Sequence, residues 1–483
     1  MRILLAFALI QVVGFLVLKV VAGSRSSLTT LEHWCLSFGT GSGVLGMLMF
    51  YLASLGNPLN PPTVLIMTTL LLMALMTLLA VRRRRRNGRE SENPSSDRSE
   101  LNPSVSRLSA VEWASLAVIG LCAFIVFADA FSQPLLAFDA RAIWAFKAKV
   151  LYSEQGIYNE AFLDPERLHA KTRYPQLIPL TETFVASIVG RFDERILKLI
   201  FPCFYVSLTL LLGCELRRGL DRRYTMVATA LFASLPVFTI YANGGAASGY
   251  ADVPLSFYVT ALTSSLFRWL QTRPTQRLQL AALFTTLTVF TKTEGLALVF
   301  VVFLAVAGAA WTYERSTRSL WVLLLAASLG LLCLVPWFIY QTHLPVVDEN
   351  FYELLTPARM INGIHRWRYI AWSLGKEFFM KPHLWNLLGV SAALLFLRAP
   401  RKVVHSWFCI FFWIPVLYVM VLCLIFVVIP WQLEDLLPVA LTRLVMQVAP
   451  LLFLWVCLET AGLLPGTPDP STQFHRSTRL GSN

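Results

Sequence analysis

Charge is scarce in this sequence. Only 14% of its 483 residues are Asp, Glu, Lys or Arg, 56% are hydrophobic, and mean hydropathy is +0.61. A soluble domain carries about 25% charged residues, so a soluble enzyme and a secreted scaffold are both excluded. Polar cysteine loops are missing too. All eight cysteines (Cys35, Cys122, Cys203, Cys214, Cys333, Cys409, Cys423 and Cys457) lie within or at the ends of apolar runs, and no CxxC pair occurs. Neither a disulfide framework nor a thiolate metal site is indicated, and small apolar fillers are the plain reading. No internal repeat of solenoid or transporter type is present. The net charge of +13 would suit nucleic acid, but much of it sits in short basic clusters between apolar runs. The positive-inside rule produces that pattern, and no nucleic-acid partner is expected.

Apolar runs of about 20 residues are what remains, each long enough for a hydrocarbon core of about 30 Å. They predict an all-α, polytopic integral membrane protein with about thirteen transmembrane helices, at 3–22, 35–55, 62–81, 111–131, 194–215, 224–241, 253–270, 278–292, 295–311, 320–340, 384–397, 404–430 and 443–463. The basic clusters are Arg82 to Arg86 with Arg89, Arg98 and Arg107; Arg217, Arg218, Arg222 and Arg223; Arg268, Arg273 and Arg277; and Arg398, Arg401 and Lys402. With these spans all four fall on one side, which is then cytoplasmic. The carboxyl terminus is expected inside and the amino terminus outside. A cleaved signal peptide over 3–22 is the alternative, but the apolar stretch is long for one and a retained span is expected. The expected division is 1–81, three amino-terminal helices; 82–110, a basic cytoplasmic linker too polar to fold alone; 111–340, a core with a large outer loop at 132–193; 341–463, an outer loop and further helices; and 464–483, a cytoplasmic tail.

Chemically loaded segments all fall on the opposite, outer face. The first loop runs Phe138-Asp139-Ala140-Arg141-Ala142-Ile143-Trp144-Ala145-Phe146-Lys147. At α-helical spacing Asp139, Ile143 and Phe146 share one face, with Arg141 and Trp144 beside it; an interfacial helix anchored by tryptophan explains this equally well. His169-Ala170-Lys171-Thr172-Arg173-Tyr174-Pro175 then sets two cations before a stiff turn. Such a pair suits phosphoryl oxygens through charge-assisted hydrogen bonds, although juxtamembrane helices often carry flanking charges. In Asn243-Gly244-Gly245-Ala246-Ala247-Ser248-Gly249-Tyr250-Ala251-Asp252-Val253-Pro254-Leu255 the glycines allow close backbone approach, and Asp252 is either a site carboxylate or a helix cap. Lys292 and Glu294 interrupt two apolar runs at Thr291-Lys292-Thr293-Glu294-Gly295. Charges held between hydrophobic helices are costly enough to be functional candidates, although these two can pair with each other. Tyr352, Arg359, His365, Arg366 and Arg368 add candidates from 341–383, where amphipathic interfacial helices account for them equally well.

The order of these motifs resembles the GT-C glycosyltransferases. It has an Asp shortly after a span, then Tyr174-Pro175-x-Leu177-x-Pro179-Leu180, then Asp252-x-Pro254-Leu255 opening a span, then Lys292-x-Glu294-Gly295. The nearest likeness is to protein O-mannosyltransferases, the lipid A aminoarabinose transferase and related bacterial membrane proteins, and it covers about 111–340. The carboxyl third is similar in general plan, including Thr442-Arg443-Leu444-x-x-Gln447-x-x-Pro450. The resemblance implies transfer of a sugar from a polyprenyl-phosphate donor to an acceptor hydroxyl (of a glycan, lipid or protein) outside the cytoplasmic membrane, with inversion. It implies Asp139 as general base, Asp252 as second carboxylate, and Arg141, Lys171, Arg173, Tyr174, Lys292, Glu294, Arg359, His365 and Arg368 as substrate- or phosphate-binding candidates. No cofactor is expected; a divalent ion on Asp139, Asp252 and His365 is chemically open, but no spacing demands it. Two departures stand out: the proline pair of several relatives is here Tyr174-Pro175-Gln176, and no sizeable soluble domain follows the last span. The rival class is a transporter or lipid flippase, which would place ionisable residues near mid-span and break helices in matching halves.

Overall fold

The computed structural model describes residues 1–23, 28–90 (backbone alone over 85–90), 107–164, 166, 170–345, 354–398, 400 and 408–462. Most of the linker at 82–110 and all of the tail at 464–483 fall outside the described residues, as do His169 and Tyr352. The described chain is helical throughout, with no strand. Its first half comprises α1 (Arg2–Ala22), α2 (Thr30–Ser54), α3 (Pro61–Glu90), α4 (Ala110–Ser132), a π-helix (Ala140–Ala145), α5 (Phe146–Glu154), α6 (Glu160–Leu163), α7 (Leu177–Val189), α8 (Glu194–Lys198), α9 (Ile200–Gly219), α10 (Arg222–Ala233) and α11 (Pro236–Thr239). The second half comprises α12 (Asp252–Thr272), α13 (Thr275–Thr291), α14 (Glu294–Glu314), α15 (Thr317–Leu332), α16 (Val335–Gln341), α17 (Pro357–Asn362), a 3-10 turn (Ile364–Arg366), α18 (Trp367–Phe379), α19 (Pro382–Trp385), α20 (Leu388–Arg398), α21 (Cys409–Val428), α22 (Leu433–Met446) and α23 (Ala449–Ala461).

Among the described residues seven helices are long and apolar enough to cross a membrane. They are α1, α2, α3 up to Arg84, α4, the run α8–α9, α14 and α21. The count rises to nine if the bent pairs α15–α16 (51°) and α22–α23 (52°) each cross once. Thirteen were expected, and four runs account for the difference. Pro236 and the Ser234 turn divide 224–241 into two short helices; α13 has only 17 residues; 384–397 splits into α19 and the 11-residue α20. The fourth is α12, 21 residues long but rich in Ser and Thr and carrying Arg268 and Asp252. Residues of α3, α4 and α15 such as Ile66, Met76, Phe124, Trp321 and Leu332 are exposed. Apolar surface on that scale is normally covered, and hydrocarbon covers it in an integral membrane protein.

At the centre lie α2 and α12, buried along most of their length. Glycines make α2 central. A Cβ on Gly41 would lie 1.8 Å from the Ile10 carbonyl oxygen of α1, one on Gly39 would strike the Phe257 ring of α12, and one on Gly43 would strike Leu287 of α13. Small residues of this kind let helix backbones approach closely in apolar surroundings. In α12 the buried hydroxyls of Ser256, Thr260 and Ser265 return a hydrogen bond to the carbonyl four residues back, at 3.0, 2.7 and 2.7 Å, so these polar groups need no outside partner.

Polar chemistry concentrates at the two ends of α12. At its carboxyl end Arg268 donates to Glu215 of α9, and Glu32 at the start of α2 pairs with Arg218 and Arg277. Glu32 also closes a capping box with Thr29, and Glu112 does the same with Ser109 while binding Arg222 at 2.5 Å. Asp252 opens the other end, about 24 Å away at 1.5 Å per residue.

Candidate functional site

The amino end of α12 meets three other elements. Asp252 is fully buried, and its side chain makes no capping bond to its own helix. Instead Oδ1 accepts from Lys292 Nζ at 2.8 Å and Gln447 Nε2 at 2.7 Å, and Oδ2 accepts from Arg443 Nε at 3.1 Å. A buried carboxylate needs partners of this number and charge to remain ionised. Lys292, extended between α13 and α14, also pairs with Glu294 at 2.9 Å. The two residues therefore pair with each other, as one reading of this segment expected, and the lysine also joins a larger cluster. Gly295 makes this tight reversal possible, because a Cβ there would lie 2.1 Å from the Thr288 carbonyl oxygen.

Arg443 joins the two carboxylates. Its Nη1 donates to Asp139 Oδ2 at 2.6 Å while Nε holds Asp252, and the guanidinium carbon lies 4.1 Å from the centre of the Tyr250 ring. Asp139 remains 27% exposed, Arg443 only 10%. Arg443 and Gln447 stand four residues apart, so the end of α22 presents both to one place. The glycine loop works as its composition suggests: at Gly244 (φ +150°) a Cβ would press on Arg443 Cγ at 3.0 Å, and at Gly249 (φ +84°) on Leu135 and Ala140. Asp139 immediately precedes the π-helix, where an α-helical phase was expected. Trp144 is buried within the fold instead of anchoring an interface.

The cationic loop lies alongside. Lys171 adopts a left-handed conformation (φ 46°), and its Nζ faces the rings of Tyr174 (5.3 Å) and Trp431 (5.8 Å). Contacts close a ring from Asp139 along the π-helix to Trp144, whose indole meets Tyr174 at 6.1 Å, then to Lys171, Trp431 and α22, and back through Arg443 to Asp139. Beneath the loop Lys147 is fully buried and donates to the carbonyls of Lys171 (3.4 Å) and Tyr174 (3.3 Å). Burial pushes its ammonium down to about 7, opposed by Glu182 and assisted by Lys171. Burial pushes the Glu182 carboxyl well above the usual range, with Lys147 opposing. Arg173 carries a buried Nε with no hydrogen-bond partner among the described residues, while Gln341 binds its carbonyl.

The structure thus gathers Asp139, Asp252, Lys292 and Glu294, with Lys171, Arg173 and Tyr174 on the adjoining loop. Arg141, Arg359, His365 and Arg368 are exposed, and no contact ties them to the carboxylates. Arg366 is structural: it donates to the carbonyls of Phe426 (3.3 Å) and Trp431 (3.0 Å), covering the carboxyl end of α21. Among the described residues no group of three His, Cys, Asp or Glu is placed as for a metal; between Asp139 and Asp252 stands Arg443. Lys147, Glu182, Arg443 and Gln447 were not among the sequence candidates. For the last pair a signal existed in the Thr442–Pro450 pattern. No family model and no curated protein matches this chain.

Proposed function

We propose that this chain is a membrane glycosyltransferase of the GT-C type, taking a sugar from a polyprenyl-phosphate donor at the outer face of the cytoplasmic membrane. One observation carries the reading: two carboxylates share a guanidinium beside Lys292 and a cationic loop, at the end of the helices remote from the basic clusters. The reaction needs a base, positive charge for a leaving phosphate and an approach from the membrane. The acceptor oxygen bonds to the anomeric carbon as the bond from that carbon to the phosphate oxygen breaks. The electron pair leaves with the phosphate, and the hydroxyl proton passes to Asp139 in the same transition state. Lys171, Arg173 and Arg443 supply the charge that a leaving phosphate requires. Asp252, paired on three sides, orients Lys292 and Arg443 and stays outside the proton transfer.

The test is turnover of radiolabelled polyprenyl-phosphate sugars by purified protein in lipid, with and without candidate acceptors. Asp139→Asn keeps the shape and removes the base, and a loss of about 10²- to 10⁴-fold is expected. Donor binding with equal slow hydrolysis in both proteins would remove Asp139 from the role. A transporter is the second reading, favoured by the 52° break between α22 and α23 just beyond Arg443, since broken helices build transporter sites. It requires movement of the intact lipid across proteoliposomes without cleavage.

A further inference from the structure

The arrangement at Arg443 sets a problem for a base at Asp139, because the guanidinium already occupies its Oδ2 at 2.6 Å and stands where an acceptor hydroxyl would have to approach that oxygen. The two arms of Arg443 differ in environment. Nε grips Asp252, which is fully buried and also held by Lys292 and Gln447. Nη1 grips Asp139, which is partly open to solvent, so an entering ligand can reach this arm and not the buried one. The guanidinium lies against the Tyr250 ring at 4.1 Å, a contact that survives rotation in its own plane. Among the described residues nothing accepts from Nη2. The buried arm is therefore a pivot and the other arm is exchangeable.

We propose that Arg443 is a substrate-operated latch: in the free protein it holds Asp139, and an arriving phosphoryl group draws the Nη1 and Nη2 edge onto itself, releasing Asp139 as the base. This rests on the phosphate-donor reading above and adds to it the order of events. Phosphate competes well because it offers a two-point, charge-assisted partner to a guanidinium edge.

A double-mutant cycle tests it by binding alone. A short-chain polyprenyl phosphate without sugar is titrated against wild type, Asp139→Asn, Arg443→Gln and the double variant in nanodiscs. The latch predicts that Asp139→Asn binds the lipid phosphate about three- to tenfold more tightly than wild type, because the competitor is gone, and that the gain vanishes in the Arg443→Gln background. Simple charge repulsion from Asp139 predicts a gain at least as large in that background, and this result would overturn the latch. An Asp139→Asn variant no tighter than wild type would overturn it too. If wild type binds no lipid phosphate at all, the donor reading itself falls and the latch falls with it; binding by wild type with no coupling removes the latch alone. Should Arg443→Gln fail to fold, Arg443→Lys serves: one nitrogen cannot reach both carboxylates, so at least half of the Asp139→Asn gain is expected to disappear.

Discussion

Lys147 places an ammonium in apolar surroundings to hold the loop of Lys171 and Tyr174 from below. An amine has donors for both carbonyls whether charged or neutral, so the loop does not depend on its charge; stability does. Its folded value of about 7 lies below the ordinary value of 10.5, so between these limits the unfolded chain binds more protons and stability rises with pH. Against Lys147→Met, which has no such titration, the wild-type thermal midpoint should climb from pH 7 to 9, by at most about 1.4 kcal/mol per pH unit. Parallel curves would mean that Lys147 titrates normally. Little of this was legible in the sequence. Lys147 is one lysine in an apolar stretch, and its burial is decided by Glu182 and the Tyr174 turn, far along the chain. Asp139, Asp252 and Lys292 could be read because acids and cations at the ends of apolar runs are rare and costly. Arg443 lay within the Thr442–Pro450 pattern, but its pairing with the carboxylates appears only when α22 folds back 304 residues to Asp139.

At the scale of helices, the crossing of α1 and α2 depends on two glycines. A side chain at Gly14 would lie 1.8 Å from the Ser37 carbonyl oxygen and one at Gly41 the same distance from that of Ile10. Backbone cannot yield as a flexible side chain does, so Gly41→Val should force the helices apart and cost about 1–3 kcal/mol or more. Gly120→Val in α4, where a Cβ meets nothing within 4 Å, is the control and should leave the thermal midpoint in detergent almost unchanged. Equal loss in both variants would show that any bulk in these helices is harmful and that the crossing is not special. α1 is long and apolar enough to cross a membrane, the length expected of the span at 3–22. Hydropathy found the lipid-facing helices well because lipid selects one property. Thirteen runs exceed the seven to nine that pass on length and apolar character among the described residues, because α12 interleaves Ser and Thr with its apolar residues and α13 and α20 have 17 and 11 residues. The π-helix escaped because a changed hydrogen-bond register leaves no periodic mark in six residues.

For the whole molecule the informative feature is the separation of charge along α12. One end holds Glu32, Glu215, Arg218, Arg268 and Arg277, and the other holds Asp252, Lys292 and Arg443, with about 24 Å of uncharged helix between. The two clusters lie at opposite ends of α12. In the orientation proposed above, the positive-inside rule would keep the arginines beyond the first cluster in the cytoplasm and turn the Asp139 face outward. Single cysteines at exposed positions check this with a membrane-impermeant maleimide, once the exposed Cys333 is replaced by Ser. Phe138→Cys, beside Asp139, should react in intact cells. Arg223→Cys, one residue from the Arg222–Glu112 pair, should react only after the membrane is opened. Labelling of both in intact cells would contradict the two-faced bundle. An exchange of the two patterns would keep the bundle but turn the site to the cytoplasm, where the phosphate-linked donor would have to be met from the inner leaflet.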